Sequence, residues 1–265
     1  MTKVIGQTKL MSIIDSYTIQ TLPKTLLFLG QAGCGKHTIS KYVSEKFDLS
    51  YVEIEESVSS ADIENFLYST INTLYVIDLT KFSEKQQNQF LKFVEEPSKS
   101  VYVILTACSE AGVLNTILNR CIKHTFEPYT KQEVEQITGA TINEKAFTIF
   151  KTPGKLLNIT DSCFNNIIGL ADSLVKHIHS ANYPNALVIS TKINYKDLYN
   201  KVDFNLFFDA VEYLALEDFK ASGTQRSFII FKITNQFKQY TTQSNLIKET
   251  LMLNYLTTLW EAVQE

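Results

Sequence analysis

The most informative segment of the sequence is Thr25-Leu-Leu-Phe-Leu29-Gly30-Gln-Ala-Gly-Cys-Gly-Lys36-His37-Thr38. Thr25 to Leu29 is a short apolar run, which is typical of a buried β-strand. The glycines that follow permit a tight turn, and residues 37–47 have a helical pattern. The stretch therefore predicts a buried strand, a glycine loop and a helix in direct succession.

This loop matches the phosphate-binding pattern G-x-x-x-x-G-K-[ST], the P-loop, except at its last position. In that pattern the backbone amides and the lysine hold phosphate groups, and the hydroxyl after the lysine completes the shell of a Mg²⁺ ion. The loop is therefore expected to be able to bind ATP or ADP. The residues predicted to bind the nucleotide here are Gly30, Gly33, Gly35, Lys36, His37 and Thr38.

Two substitutions argue against hydrolysis. His37 stands where the metal-binding hydroxyl is expected, and a neutral imidazole is a poor substitute because Mg²⁺ prefers oxygen ligands. Asp78 ends the apolar run from Leu74, but Leu79 follows it where P-loop ATPases of this kind usually carry a glutamate that activates water. Asp78 either contacts Mg²⁺ through water or is a residual carboxylate at the end of a strand. The sequence predicts nucleotide binding with impaired use of Mg²⁺ and little turnover.

The composition sets further bounds. A chain of 265 residues with 45% hydrophobic content is long enough for more than one domain, and its net charge of −3 argues against general nucleic-acid binding. The four cysteines have no paired C-x-x-C spacing, so neither a zinc module nor a disulfide framework is expected. The sequence also lacks a signal-peptide pattern and any long apolar segment, which predicts a cytoplasmic protein with no membrane partner.

The predicted elements divide the chain into three parts, residues 1–128, 129–161 and 162–265. The first part alternates strands with helices, which predicts an α/β domain with a parallel sheet. Its strands are expected at 25–29, 50–54, 74–78 and 101–106, and its helices at 37–47, near 60–70 and at 83–95. Short helices at 131–138, 143–151 and 154–160 follow, and amphipathic patterns at 204–221 and, with breaks, at 225–263 predict an all-helical third part.

Several segments resemble one family. The segment from Asn88 or Gln89 to Pro97 looks like the N-A-L-L-K-T-L-E-E-P segment of clamp-loader subunits, and Thr116-Ile-Leu-Asn-Arg120-Cys121 is similar to their T-I-L-S-R-C. Thr152-Pro-Gly-Lys155-Leu-Leu resembles the S-P-G-x-A-L stretch of delta-prime lids. Together they resemble the small AAA+ clamp-loader subunits, most closely the delta-prime subunits of bacterial DNA polymerase III.

The resemblance implies an architecture and a set of roles. The three parts would be an AAA+ P-loop domain, a three-helix lid and an all-α collar that packs on sister subunits. Arg120 would act as an arginine finger in a neighbouring subunit's nucleotide site, although a local role as a helix cap or in an ion pair is the alternative. Lys155 falls near the nucleotide-sensing position of the lid, although a solvated lysine at the start of a helix is the alternative. Ala107 occupies a position where the family has a polar residue. The implied partners are other clamp-loader subunits, a sliding clamp and, through the assembly, primed DNA.

Three hypotheses on function follow. The first is a clamp-loader subunit that hydrolyses little or no ATP and donates Arg120 to a sister subunit. The second is an active gamma-type ATPase, in which Thr38 serves Mg²⁺ and Glu95 or Glu96 replaces the missing base. The third is a standalone nucleotide-binding regulator that shares only the fold.

Overall fold

The computed structural model describes residues 2–54, 63, 65–66, 69–95, 97–157, 159–192, 204–238, 240 and 248–264. Contacts divide the chain into two compact units. The first comprises residues 1–142 and 152–157, and the second comprises residues 143–151 and 158–265. The three-part division expected from the sequence stays a prediction.

The first unit is built on a parallel sheet. Its strands are β1 Thr25–Leu29, β2 Ser50–Ile54, β3 Thr73–Asp78, β4 Val101–Ala107 and β5 Ile122–Thr125, in the spatial order β2-β3-β4-β1-β5. β1 pairs with both β4 and β5, and every strand pairing is parallel. Every residue of β1 and β4 is buried, because these strands lie inside the sheet and are covered on both faces. This confirms the predicted α/β fold and places the end of β1 near the middle of the sheet.

The helices are numbered here in chain order. They are α1 Thr8–Ser16, α2 Lys36–Lys46, α3 Glu84–Gln89, α4 Leu91–Glu95, α5 Asn115–Leu118, α6 Lys131–Thr138, α7 Glu144–Phe150, α8 Pro153–Leu156, α9 Asp161–His179, α10 Tyr183–Lys192, α11 Phe204–Ser222, α12 Gln225–Lys238 and α13 Lys248–Gln264. Short 3-10 turns cover Leu79–Lys81 and Glu110–Gly112. Among the described residues, no helix combines the length and the apolar character needed to cross a membrane.

Some predicted boundaries differ from the structure. The helix expected at 83–95 is two helices, because the chain turns at Phe90, whose ring is buried at 5.0 Å from the Phe82 ring. The helix expected at 154–160 ends at Leu156, whereas the pattern at 225–263, expected to have breaks, corresponds to α12 and α13. Most of the helix expected near 60–70 lies outside the described residues. β5 and α1 were not predicted.

The second unit is helical, with aromatic side chains at its centre. Phe208 of α11 packs edge-on against Tyr255 of α13, with ring centroids 4.7 Å apart. Tyr255 is fully buried, and its hydroxyl lies 2.7 Å from the Thr234 hydroxyl of α12. The buried phenol is thus paired, which avoids the cost of an unsatisfied polar group. The amphipathic patterns predicted from the sequence correspond to this core.

Candidate functional site

The P-loop, residues 30–36, leaves the end of β1 and runs directly into α2. Gly33 and Gly35 have φ angles of +78° and +93°, which favour glycine over residues with a side chain. At Gly30 the constraint is space, since a Cβ atom there would lie 2.7 Å from Cys34 Sγ and 2.9 Å from Phe126 Cβ. The three predicted glycines are therefore each required by the local geometry.

The carbonyl oxygens of this loop accept hydrogen bonds from the protein. The pairs are Lys36 Nζ to Gly30 O at 2.6 Å and to Gln31 O at 3.1 Å, Thr152 Oγ1 to Ala32 O at 2.9 Å, Gly154 N to Gly33 O at 2.9 Å and Tyr129 Oη to Cys34 O at 2.9 Å. In a trans peptide, the C=O and N–H groups point in opposite directions. The N–H groups that follow these carbonyls in the chain, those of residues 31–35, are therefore turned away from the donors named above. The exception is Cys34 N, which donates to Gln31 O at 3.2 Å. The loop thus presents backbone donors at the start of an 11-residue helix, which is chemistry that fits phosphate.

Lys155 lies beside the loop, as the sequence predicts. The segment around it packs so closely that a Cβ atom on Gly33 would lie 3.0 Å from Lys155 N. Its side chain is half-buried at α8. The structure therefore places Lys155 with the glycines and with the buried Lys36, whereas a role in nucleotide sensing stays a prediction. Thr38 is exposed on the first turn of α2.

His37 is held by an acidic partner. Its Nδ1 lies 2.9 Å from Glu53 Oε1 on β2, and both side chains are partly exposed. Tyr51 donates to the other oxygen of Glu53 at 3.4 Å, and the pKa of Tyr51 is raised by burial and, to a smaller extent, by the Glu53 charge. The imidazole that replaces the metal-binding hydroxyl is therefore engaged with a carboxylate.

Asp78 is also engaged locally. Its Oδ1 accepts hydrogen bonds from Thr80 N at 3.1 Å and from Thr80 Oγ1 at 2.8 Å, which caps the turn Leu79–Lys81. Leu79 is buried in the core instead of facing a substrate. Mg²⁺ requires near-octahedral oxygen coordination. The residues at these positions, an imidazole paired with a carboxylate and an acid used as a cap, do not fit that ion in the manner of a P-loop ATPase.

The end of β4, which lies beside β1, has no exposed polar side chain that could contact a γ-phosphate. Ala107 is only 2% exposed, and it lies opposite Leu29 at the end of the ladder. Its neighbour Thr106 is fully buried, and its hydroxyl has no hydrogen-bond partner among the described residues. Neither residue therefore presents a polar group to a nucleotide.

Arg120 lies on the surface after α5, in a defined position. Its Nε is 2.8 Å from Glu95 Oε1 of α4, and its Nη1 donates to Thr116 O at 2.8 Å. The side chain is nevertheless 42% exposed. The local ion pair considered as an alternative is thus present, and the same contacts fix an exposed guanidinium. Because Glu95 pairs with Arg120, it is poorly suited to act as a catalytic base at the P-loop; Glu96 lies outside the described residues.

Sequence reasoning missed the residues that hold the loop from a distance. Tyr129 and Thr152 come from segments far along the chain, and Glu53 comes from β2. No local pattern marks these residues, because only the folded chain brings them to the P-loop. The resemblance of residues 152–157 to a lid segment was the one available signal for the Thr152 contact.

Comparison with known proteins bears on these features. Residues 52–130 match the family model described as DNA polymerase III, delta subunit. Comparison with curated protein sequences finds no match. A DNA polymerase III gamma subunit-related protein of Thermotoga maritima is 14% identical, with a TM-score of 0.51 over 97% of this chain and 99% of that chain. A RuvB variant of Thermotoga maritima is 13% identical, with a TM-score of 0.48 over 82% of this chain and 77% of that chain.

The matched region includes two of the three segments whose sequences resemble clamp-loader motifs, the one that ends at Pro97 and Thr116–Cys121. The gamma-related protein shares the fold over nearly the full length of both chains. Its low identity supports the architecture and no particular activity. With a P-loop at the end of β1 and a helical second unit, the chain has the fold of this gamma-related protein, and its residues 52–130 are similar to the DNA polymerase III delta-subunit family.

Proposed function

We propose that this chain is a delta-prime-type subunit of a DNA polymerase III clamp loader, with little or no ATPase activity of its own. The observation that carries the proposal is the pairing of His37 with Glu53 at the position where an ATPase needs a metal-binding hydroxyl. Phosphate binding by the loop is compatible with this pairing, whereas Mg²⁺-dependent cleavage is not. The proposed ligand is therefore ATP or ADP held without a normal Mg²⁺ site.

The proposed contribution of the chain is Arg120. A guanidinium fixed by Glu95 and by a backbone carbonyl has a defined direction, and its exposure leaves it accessible to a second subunit. An arginine supplied in trans stabilises the charge that develops on a transferred phosphoryl group and is worth about 10³- to 10⁵-fold in rate in other systems. The chain would thus complete a sister subunit's site during the loading of a sliding clamp onto primed DNA in the cytoplasm.

Arg120→Ala tests this role. The variant is combined with gamma-type ATPase subunits and the clamp-opening subunit, and ATP hydrolysis is measured with sliding clamp and primed DNA. We expect the variant to stay folded and associated, while turnover at the neighbouring site falls by roughly 10³-fold or more. Lys123→Ala is the matched control, because Lys123 is an exposed cation nearby that pairs with Glu110 at 3.1 Å. Equal turnover with the Arg120 variant and the wild type would remove Arg120 from the mechanism.

The isolated chain separates the remaining hypotheses. Under the proposal, the purified chain does not hydrolyse ATP, with or without primed DNA. Rapid hydrolysis that Lys36→Ala abolishes would instead identify a gamma-type ATPase. A chain that binds nucleotide but associates with no clamp-loader subunit would be a standalone regulator.

A further inference from the structure

Two cysteines lie near one another where β1 and β4 end. In the parallel pair Leu29 is opposite Ala107, and the Gly30 amide donates to the Ala107 carbonyl at 3.0 Å. This hydrogen bond belongs to the Leu29–Ala107 pair, and Gly30 and Cys108 are the next residues of the two neighbouring segments. Neighbouring strands are about 4.8 Å apart, and residues in register share a face of the sheet. The backbone of Cys108 therefore lies beside that of Gly30 at the ends of the two strands.

The Cys34 thiol fills the space that a side chain on Gly30 would occupy. A Cβ atom on Gly30 would lie 2.7 Å from Cys34 Sγ, so the sulfur takes the place of the missing side chain. Electrostatics agree with this placement. Burial is the main cause that raises the pKa of Cys34, and the charge of a Cys108 thiolate raises it further.

The two thiols differ in access and environment. Cys108 is exposed, whereas Cys34 is 4% exposed. Lys36 Nζ lies 3.9 Å from Cys34 Sγ, and its charge lowers the pKa of Cys34 in opposition to burial. A reagent in solution can thus reach Cys108 first, while the ammonium group of Lys36 partly offsets the effect of burial on the Cys34 thiol.

We propose that Cys34 and Cys108 form a reversible disulfide with a low-molecular-weight disulfide, such as oxidised glutathione, as the oxidant. The Cys108 thiolate attacks one sulfur of the oxidant, forms a mixed disulfide and releases one glutathione thiolate. The Cys34 thiolate then attacks the Cys108 sulfur and releases the second. The two cysteine protons pass to the two glutathione thiolates, so the protein is oxidised by two electrons and glutathione is reduced by two.

The product would tie the P-loop to the end of β4. Because the loop carries the phosphate-binding amides, the bond would link the redox state of the surroundings to the mobility of this loop. The inference stands on the positions of the two thiols and does not depend on the clamp-loader role. It is compatible with the absence of a disulfide framework in the sequence, since the proposed bond is reversible.

The test uses the full chain, equilibrated in glutathione buffers from reducing to oxidising, quenched with an alkylating reagent and analysed by mass spectrometry. We expect the loss of two hydrogen atoms and a peptide that links Cys34 to Cys108, both reversed by dithiothreitol. Cys121 is not expected to compete, because burial raises its pKa to about 12. Accumulation of a glutathione adduct on Cys108, a bond to another cysteine, or no reaction would overturn the proposal.

Variants at the four cysteines complete the experiment. Cys108→Ser is expected to remain reduced, and Cys34→Ser is expected to stop at the glutathione adduct on Cys108. Cys34→Ala serves the same purpose if the serine disturbs the buried position. Cys121→Ser and Cys163→Ser are the matched controls and should form the linked peptide as the wild type does.

Discussion

Thr106 is a buried residue whose hydroxyl has no hydrogen-bond partner among the described residues. A buried hydroxyl without a partner costs about 1–3 kcal/mol, and valine has a similar shape without the polar atom. Thr106→Val is therefore expected to raise the free energy of unfolding by about 1–2 kcal/mol in urea denaturation.

A second buried threonine provides the control for that variant. Thr234 is equally buried, but its hydroxyl lies 2.6 Å from Ile230 O and 2.7 Å from the Tyr255 hydroxyl. Thr234→Val should lower the stability, because it removes both interactions and leaves the Tyr255 hydroxyl without this partner. If both variants change stability in the same direction, the hydroxyl of Thr106 is not the cause.

At the scale of elements, α8 and the residue before it pack closely against the P-loop. A Cβ atom on Gly154 would lie 2.6 Å from Gly33 Cα and 3.0 Å from Gly33 O, both backbone atoms that cannot move without shifting the loop. Gly154→Ala is therefore expected to lower the free energy of unfolding by about 1–3 kcal/mol, as overpacking does elsewhere. Denaturant titration at fixed temperature measures the change.

Gly169→Ala is the matched control for Gly154. Gly169 lies inside α9, where an added Cβ atom would meet no atom within 4 Å. Alanine is favoured over glycine in a helix by about 0.8–1 kcal/mol, so this variant should be more stable than the wild type. If the Gly154 variant is as stable as the Gly169 variant, α8 and the P-loop are not packed as tightly as the distances to Gly33 indicate.

The elements also show how far the sequence determines the fold. β1, β3 and β4 are continuous apolar runs, and the glycine pattern before α2 requires its own backbone geometry, so these were predictable. β5 was not, because it is a four-residue edge strand in which only His124 is buried. The residues that contact the P-loop were equally unpredictable from the sequence. Glu53 and Tyr129 are far from it in the chain, and only folding brings them next to it.

At the scale of the whole molecule, the response of stability to pH depends on few groups. The chain has four histidines, and carboxylates with ordinary pKa values near 4 contribute little above about pH 5.5. His124 is 9% exposed, and its Nε2 has no partner among the described residues. Burial lowers its pKa below the ordinary value of 6.5, so the folded chain resists protonation of this ring.

The sign of the effect follows from proton binding. Below the ordinary histidine pKa, the unfolded chain binds a proton at His124 that the folded chain does not, so the free energy of unfolding decreases as the pH falls from about 7 to about 5.5. His124→Leu removes this term and should flatten the decrease when urea midpoints are compared across that range. His177→Gln, on α9, should keep the slope of the wild type. If the His124 variant loses stability as steeply as the wild type, another group must be responsible for the acid sensitivity.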